Sequence, residues 1–91
     1  MILDNFNSCI EQFYKNQKTL RETLDVLEDI IREFPVSKEA KSSLLDTWDI
    51  MEEVYAIAAS NNRLSLNEAE ASIIFKTLEK IKKQSYELLC K

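Results

Sequence analysis

The side chains that could carry chemistry in this chain are carboxylates and two cysteines. Its 91 residues include no histidine and no glycine. The lack of histidine removes Ser-His-Asp and Cys-His catalysis, most zinc sites and the Glu-x-x-His motif of di-iron bundles. The lack of glycine removes the phosphate-binding loops of P-loop and dinucleotide-binding proteins. We therefore predict a protein that is not an enzyme, with no catalytic residues, no metal site and no cofactor.

Two groups of carboxylates are close enough in sequence to suggest paired acid and base groups. The members are Asp25, Glu28 and Asp29 in one group and Asp46, Asp49, Glu52 and Glu53 in the other. Both groups have helical spacing and lie near Lys or Arg, a pattern typical of the solvated face of an amphipathic helix. We interpret them as surface residues.

Cys9 and Cys90 are too few and too far apart to form a disulfide framework. We expect two reduced thiols in a cytosol, with a single bridge in a secreted protein as the alternative. No histidine or basic cluster is present to activate Cys9, so the sequence predicts an inert side chain there that is buried or half-buried. Cys90 should be exposed near the C-terminus.

Composition and charge predict a single helical domain over residues 1–91. The chain is 45% hydrophobic and 31% charged, with one proline. It shows neither a signal peptide nor a transmembrane run of about 20 apolar residues, so we expect a soluble, cytoplasmic protein. A net charge of −4 argues against nucleic-acid binding. Residues 63–91 carry six bases against four acids, which leaves an acidic partner or an anionic membrane surface open as a minor alternative.

The first third of the chain has an apolar residue every three or four positions. These positions are Phe6, Ile10, Phe13, Leu20, Leu24, Leu27, Ile31 and Phe34. The rhythm predicts a helical core stripe that starts at a cap on Asp4 or Asn5 and ends before Pro35.

A capping box, Thr19 to Glu22, interrupts this stripe within a polar segment. It predicts two helices that meet near residues 16–19, and hence an all-α, antiparallel, up-down bundle of four helices. The alternative is one helix over residues 5–34, about 45 Å long, in a three-helix bundle.

The second half predicts a helical hairpin. Ser37 should cap a helix from Lys38 to Ala59, whose apolar positions are Ala40, Leu44, Leu45, Trp48, Met51, Val54, Tyr55, Ile57 and Ala58. We expect Trp48 in the core, with a half-exposed anchor for a partner as the alternative. After a polar turn over residues 60–65, a capping box from Ser65 to Glu68, with Leu64 as its hydrophobic staple, should open a last helix at Leu66. Its apolar positions are Ala69, Ile73, Ile74, Leu78, Ile81 and Leu88 or Leu89.

Large and basic side chains of this hairpin form the candidate partner-binding surface. Its members are Tyr55, Arg63, Phe75, Lys76, Lys80, Lys83 and Tyr86. The three lysines recur at i, i+4 and i+7, which puts them on one helix face. Phe75 follows Ile74 and so lies off the main apolar stripe, where it must either widen the core or face solvent.

The run from Val54 to Glu68 has an apolar and aromatic helix end, then Asn61-Asn62-Arg63-Leu64, then a capped amphipathic helix. In this it resembles the bacterial immunity proteins of class IIa (pediocin-like) bacteriocins, the enterocin A immunity family. The segments Phe6 to Tyr14 and Leu20 to Phe34 fit the first two helices of that family. The resemblance implies a cytosolic antiparallel four-helix bundle. It also implies that the protein protects its producer by docking onto a mannose phosphotransferase permease that bacteriocin has engaged.

Two functional hypotheses follow. The first is an immunity protein that binds a protein partner. The second is a small helical adaptor, a secretion chaperone or a phage-encoded inhibitor that acts as a dimer. The heptad-like stripe over residues 6–34 suits a long intermolecular helix of this kind if no break forms at residues 16–19. Monomer and homodimer both stay open at this point.

Overall fold

The computed structural model describes residues 2–61 and 66–89, and in this part the chain forms helices and no strand. The helices are α1 (Ile2–Tyr14), α2 (Leu20–Arg32), α3 (Lys38–Ser60) and α4 (Glu68–Leu89). Each helix packs on the next, and α4 returns to α1, so that in the described part of the chain α1 lies diagonally opposite α3 and α2 lies diagonally opposite α4. The result is the predicted antiparallel up-down four-helix bundle, 40 × 25 × 19 Å in extent.

The connection between α1 and α2 decides that there are four helices and not three. Asn16 has a positive φ of 60°. Its N–H donates to the Phe13 carbonyl (3.0 Å), and the Gln17 N–H donates to the Gln12 carbonyl (2.8 Å). These two bonds make a Schellman motif, which closes the helix. A single helix over residues 5–34 is therefore wrong, and the stripe folds back on itself instead of forming one long intermolecular helix.

The capping box predicted at the start of α2 is confirmed. The Thr19 hydroxyl accepts from the Glu22 N–H (3.1 Å), and the Glu22 carboxylate accepts from the Thr19 N–H (3.1 Å). These two bonds satisfy N–H groups that the first turn of a helix leaves free. At the start of α3, Ser37 caps the helix as predicted, since its hydroxyl accepts from the Ala40 N–H (3.1 Å).

The core contains buried residues from all four helices. These include Phe6, Ile10, Leu24, Leu27, Ile31, Phe34, Leu44, Met51, Ile74, Leu78 and Ile81. The rings of Phe6 and Phe34 lie 5.5 Å apart and join the start of α1 to the segment after α2. Trp48 is 9% exposed, and its indole N–H donates to the Leu24 carbonyl (2.9 Å). The core position expected for Trp48 is confirmed, and the half-exposed anchor is wrong.

Two helix starts differ from the prediction. Helix α1 begins at Ile2, so Asp4 lies in its first turn and not at its cap. Helix α4 begins at Glu68, and its capping residue is Asn67. The Asn67 side chain accepts from the Glu70 N–H (2.8 Å), and the Glu70 carboxylate accepts from the Asn67 N–H (3.0 Å).

The sequence contains two overlapping capping boxes at this point, and the structure uses the second. Glu68, predicted as the third helical residue, is the first. The predicted cap Ser65 and staple Leu64 lie outside the described residues.

Some positions of the predicted apolar stripes are not in the core. Ile57 is 54% exposed and Ile73 is 43% exposed. Ala69 is exposed as well. Ile57 and Ile73 each precede a buried residue, Ala58 or Ile74, by one position, which rotates their side chains by about 100° away from the core.

The expectation of a buried thiol holds for Cys9, which is a free cysteine with 4% of its surface exposed. Its thiol donates to the Thr23 carbonyl at 3.9 Å. Burial raises its pKa. Cys90 lies outside the described residues. None of the described helices is both long and apolar enough to cross a lipid bilayer.

Candidate functional site

An exposed aromatic cluster lies where the end of α1 meets α4. Phe75 follows the buried Ile74 by one residue, which turns its ring toward α1, and 46% of its surface is exposed. Its ring lies 5.5 Å from the ring of Tyr14 and 6.1 Å from that of Phe13. Tyr14 is itself 38% exposed. Phe75 thus rests on α1 and presents the rest of its ring to solvent.

A hydrogen bond fixes the position of Tyr14 in this cluster. Its hydroxyl donates to the Glu79 carboxylate (2.7 Å), which also pairs with the Lys82 ammonium (3.4 Å). The Lys82 ammonium lies 6.0 Å from the centre of the Tyr14 ring. Burial, together with the bond to Glu79, raises the pKa of Tyr14 well above its usual value. The same bond lowers the pKa of Glu79. At neutral pH the pair is therefore a neutral phenol that donates to an ionised carboxylate.

Tyr86 extends the aromatic surface along α4. Tyr86 lies eleven residues after Phe75, on the helical stripe that also contains Glu79 and Lys82. Its ring is 61% exposed. We name the surface formed by Tyr14, Phe75, Glu79, Lys82 and Tyr86 the α1–α4 face. A shallow depression of about 360 Å³ borders it on α1 and is lined by Asn7, Ile10, Glu11, Tyr14, Lys15 and Lys82.

The three lysines predicted as one stripe are all exposed and lie on a neighbouring side of α4. Lys76, Lys80 and Lys83 follow Phe75, Glu79 and Lys82 by one residue each, so they are rotated by about 100° from the α1–α4 face. This rotation carries them away from α1. Among the predicted surface residues, Phe75 and Tyr86 share one side of the helix and the lysines share another.

Tyr55 is separated from the other candidates. It is half-buried on the side of α3 that packs on α2, and the Arg21 guanidinium lies 5.0 Å from its ring centre. Arg21 bonds both carboxylate oxygens of Glu52 (3.0 and 2.9 Å) and one of Asp25 (2.8 Å). These bonds raise the pKa of Arg21, and the bond to Glu52 contributes most. Tyr55 therefore belongs to a clamp between α2 and α3. Arg63 lies outside the described residues.

Sequence reasoning missed Tyr14 and Lys82 as members of the site. The only local signal was the pair Phe13-Tyr14 at the end of the first helical pattern, because the contacts that build the site join α1 to α4. Several predicted surface carboxylates form ion pairs: Glu28 with Arg32 (2.9 Å), and Asp25 and Glu52 with Arg21. In the described part of the chain, no group of three or more His, Cys, Asp or Glu side chains is placed to hold a metal ion.

Comparisons with models of protein families, with curated proteins and with solved structures find no match to this chain.

Proposed function

We propose that this chain is a non-enzymatic binding protein of the bacteriocin immunity class, and that the α1–α4 face is its partner-binding surface. The observation that carries the proposal is the row of three exposed aromatic rings, Tyr14, Phe75 and Tyr86, beside a packed core. Aromatic side chains are enriched at protein interfaces because they bury a large area and have few rotatable bonds to immobilise.

Two rings of the α1–α4 face, those of Tyr14 and Phe75, are held in place in the free protein. The bond to Glu79 holds Tyr14, and the ring of Tyr14 supports Phe75 at 5.5 Å. Side chains that are held in place before association lose less conformational entropy when a partner binds. Glu79 and Lys82 supply charged groups beside the aromatic rings, as in the polar rim around the apolar centre of many interfaces.

The immunity assignment itself is supported by the resemblance of the run from Val54 to Glu68 to class IIa immunity proteins. The up-down four-helix bundle is the fold that this resemblance implies. The partner in this proposal is a mannose phosphotransferase permease that a pediocin-like bacteriocin has engaged at the membrane. The immunity protein would bind the permease from the cytosolic side and block the pore, with no chemical step.

A killing assay tests the proposal. A strain that carries the permease and is sensitive to class IIa bacteriocins is transformed with the chain and exposed to a panel of these peptides over a range of concentrations. We expect survival at otherwise lethal concentrations of at least one peptide. Unchanged killing across the whole panel, with the protein shown to be present and folded in the cells, contradicts the immunity assignment.

A second measurement addresses the partner. Affinity-tagged chain is added to detergent-solubilised membranes with and without the bacteriocin. We expect the permease to co-purify with the chain only in the presence of bacteriocin. Equal recovery in both samples, or none in either, contradicts the proposed mode of recognition.

A further inference from the structure

A second surface with self-complementary features lies on the outer side of the α3–α4 pair. Three isoleucines are exposed there: Ile50 (41%), Ile57 (54%) and Ile73 (43%). On α3, Ile50 and Ile57 precede the buried Met51 and Ala58 by one residue. Glu52, which follows Met51 by one residue, bonds Arg21 of α2 and so marks the side of α3 that faces α2. The two isoleucines therefore lie on the opposite side, next to α4.

Ile73 lies on the side of α4 next to α3. On α4, Phe75 follows the buried Ile74 and faces α1, whereas Ile73 precedes Ile74 and lies on the other side of the helix. The three isoleucines thus border the groove between α3 and α4 from both sides.

A row of charges flanks the isoleucines on each helix, with opposite signs. On α3, away from the groove, the row is acidic and contains Asp46, Asp49 and Glu53. On α4 the row is basic and contains Lys76, Lys80 and Lys83. All six residues are exposed. Within the described residues none of the six forms an ion pair, whereas Arg21, Arg32, Lys15 and Lys82 all do.

The two rows also match in height along the helices. Because α3 and α4 are antiparallel neighbours, we compare levels by counting residues from the facing ends of the two helices. Glu53 lies seven residues before the end of α3, and Lys76 lies eight residues after the start of α4. Asp49 with Lys80, and Asp46 with Lys83, show the same offset of one residue. By this count each acid of the row has a lysine at a similar distance along the other helix.

We propose that a second copy of this chain binds the surface formed by the three isoleucines and the two charged rows, which we name the α3–α4 face. The copies are related by a two-fold axis parallel to the helices. Rotation about this axis keeps each residue at its position along the helices and places α3 of one copy opposite α4 of the other. The acidic row of each copy therefore faces the basic row of the other, and the isoleucines meet between the rows. A two-fold axis across the helices would place acid on acid and base on base. Charge complementarity thus selects both the occupant and its orientation.

The available area suits a dimer of this kind. The 22 residues of α4 span about 33 Å, and two packed helices present a width of about 20 Å. The named residues span about 18 Å of this length, from Asp46 to Ile57 on α3. Contact along the whole length of both helices would bury on the order of 1,300 Å² in total, which is in the range of stable interfaces. The α1–α4 face lies on another side of the bundle and stays free in the dimer, so this inference does not depend on the function proposed for that face.

Charge reversal tests the arrangement. One variant carries Asp46→Lys, Asp49→Lys and Glu53→Lys, and therefore has two basic rows. A second carries Lys76→Glu, Lys80→Glu and Lys83→Glu, and therefore has two acidic rows. Sedimentation equilibrium over a range of concentrations is measured for the wild type, for each variant and for their equimolar mixture. Asp29→Lys, an exposed change on α2, is the control, and circular dichroism verifies that every variant is folded.

We expect a dimer for the wild type and for the control, monomers for each variant alone, and a heterodimer in the mixture, because two basic rows then face two acidic rows. Raising the salt concentration should weaken the wild-type dimer, since exposed ion pairs are screened. A wild type that stays monomeric at every concentration overturns the proposal. So does a mixture of folded variants that fails to associate, or a variant that dimerises alone as well as the wild type does.

Discussion

The hydrogen bond between Tyr14 and Glu79 gives the sharpest prediction for the α1–α4 face. Tyr14→Phe removes the hydroxyl that donates to the Glu79 carboxylate at 2.7 Å and keeps the ring beside Phe75. The substitution should therefore lower the free energy of unfolding only by the loss of this hydrogen bond, because the aromatic packing is kept. Tyr86→Phe is the matched control, since Tyr86 is 61% exposed and its hydroxyl has no hydrogen-bond partner among the described residues.

The size of the change in unfolding free energy depends on how exposed Tyr14 and Glu79 are. A hydrogen bond to a charged group contributes about 1.5–3 kcal/mol when water is excluded. Tyr14 is 38% exposed, and Glu79 lies on the surface, so water competes for both groups. We therefore expect Tyr14→Phe to lower the free energy of unfolding by about 0.5–1 kcal/mol, measured by urea unfolding at neutral pH. Tyr86→Phe should leave it unchanged.

The pH dependence follows from the raised pKa of Tyr14. Because the folded state favours the neutral phenol, this contribution to stability is complete below the unfolded pKa of tyrosine, near 10, and is lost as the pH rises toward the folded pKa. The lowered pKa of Glu79 has the opposite sign: its contribution is present above the usual value of 4.5 and is lost as the pH falls through the folded pKa. Tyrosine absorbance at 295 nm should show a late titration step, and Tyr14→Phe should remove it. A titration in which the late step persists in Tyr14→Phe, or equal stability of this variant and the wild type, refutes the reasoning.

Three further predictions concern the core and the α1–α2 connection. In a Cys90→Ser background, Cys9 should react with a thiol reagent such as DTNB only as fast as the protein unfolds, because the thiol is buried and its pKa is raised. Complete labelling on mixing would contradict its burial. Asn16→Ala should lower the unfolding free energy by about 1–2 kcal/mol because alanine disfavours the positive φ at this position, whereas Asn16→Gly should not lower it. Equal effects of the two substitutions in urea unfolding would argue against a positive φ at Asn16. Trp48→Phe should cost about 1–3 kcal/mol through loss of the bond to the Leu24 carbonyl, and a neutral effect in thermal unfolding would show that this bond contributes nothing.

The sequence predicts most of the fold because its signals are local. The apolar rhythm and the Thr19–Glu22 capping box together specify α1 and α2, and the structure confirms both helices. Ser37 marks the start of α3 in the same way. The start of α4 was misplaced because the boxes beginning at Ser65 and Asn67 fit the pattern equally well, and only the backbone path distinguishes them.

The surfaces were harder to predict because they depend on contacts between distant residues. The list of apolar positions on α3 and α4 does not show that Ile57 and Ile73 border a groove and stay exposed. Tyr14 and Phe75 are far apart in the sequence and meet only because α1 and α4 are neighbours. Periodicity did place the three lysines together, since one helix carries them all, but it did not place the acidic row of α3 beside them.

Bacteriocin protection by single-site variants tests the role of the α1–α4 face most directly. Tyr86→Ala removes an exposed ring that makes no ring contact with described residues, so the fold should be kept. Asp29→Ala, an exposed change on α2, is the control. With equal amounts of each protein in sensitive cells, we predict that the wild type and Asp29→Ala protect against the same peptide and that Tyr86→Ala protects much less. Full protection by each of the two single variants, Tyr86→Ala and Phe75→Ala, would contradict the assignment of this face as the partner-binding surface.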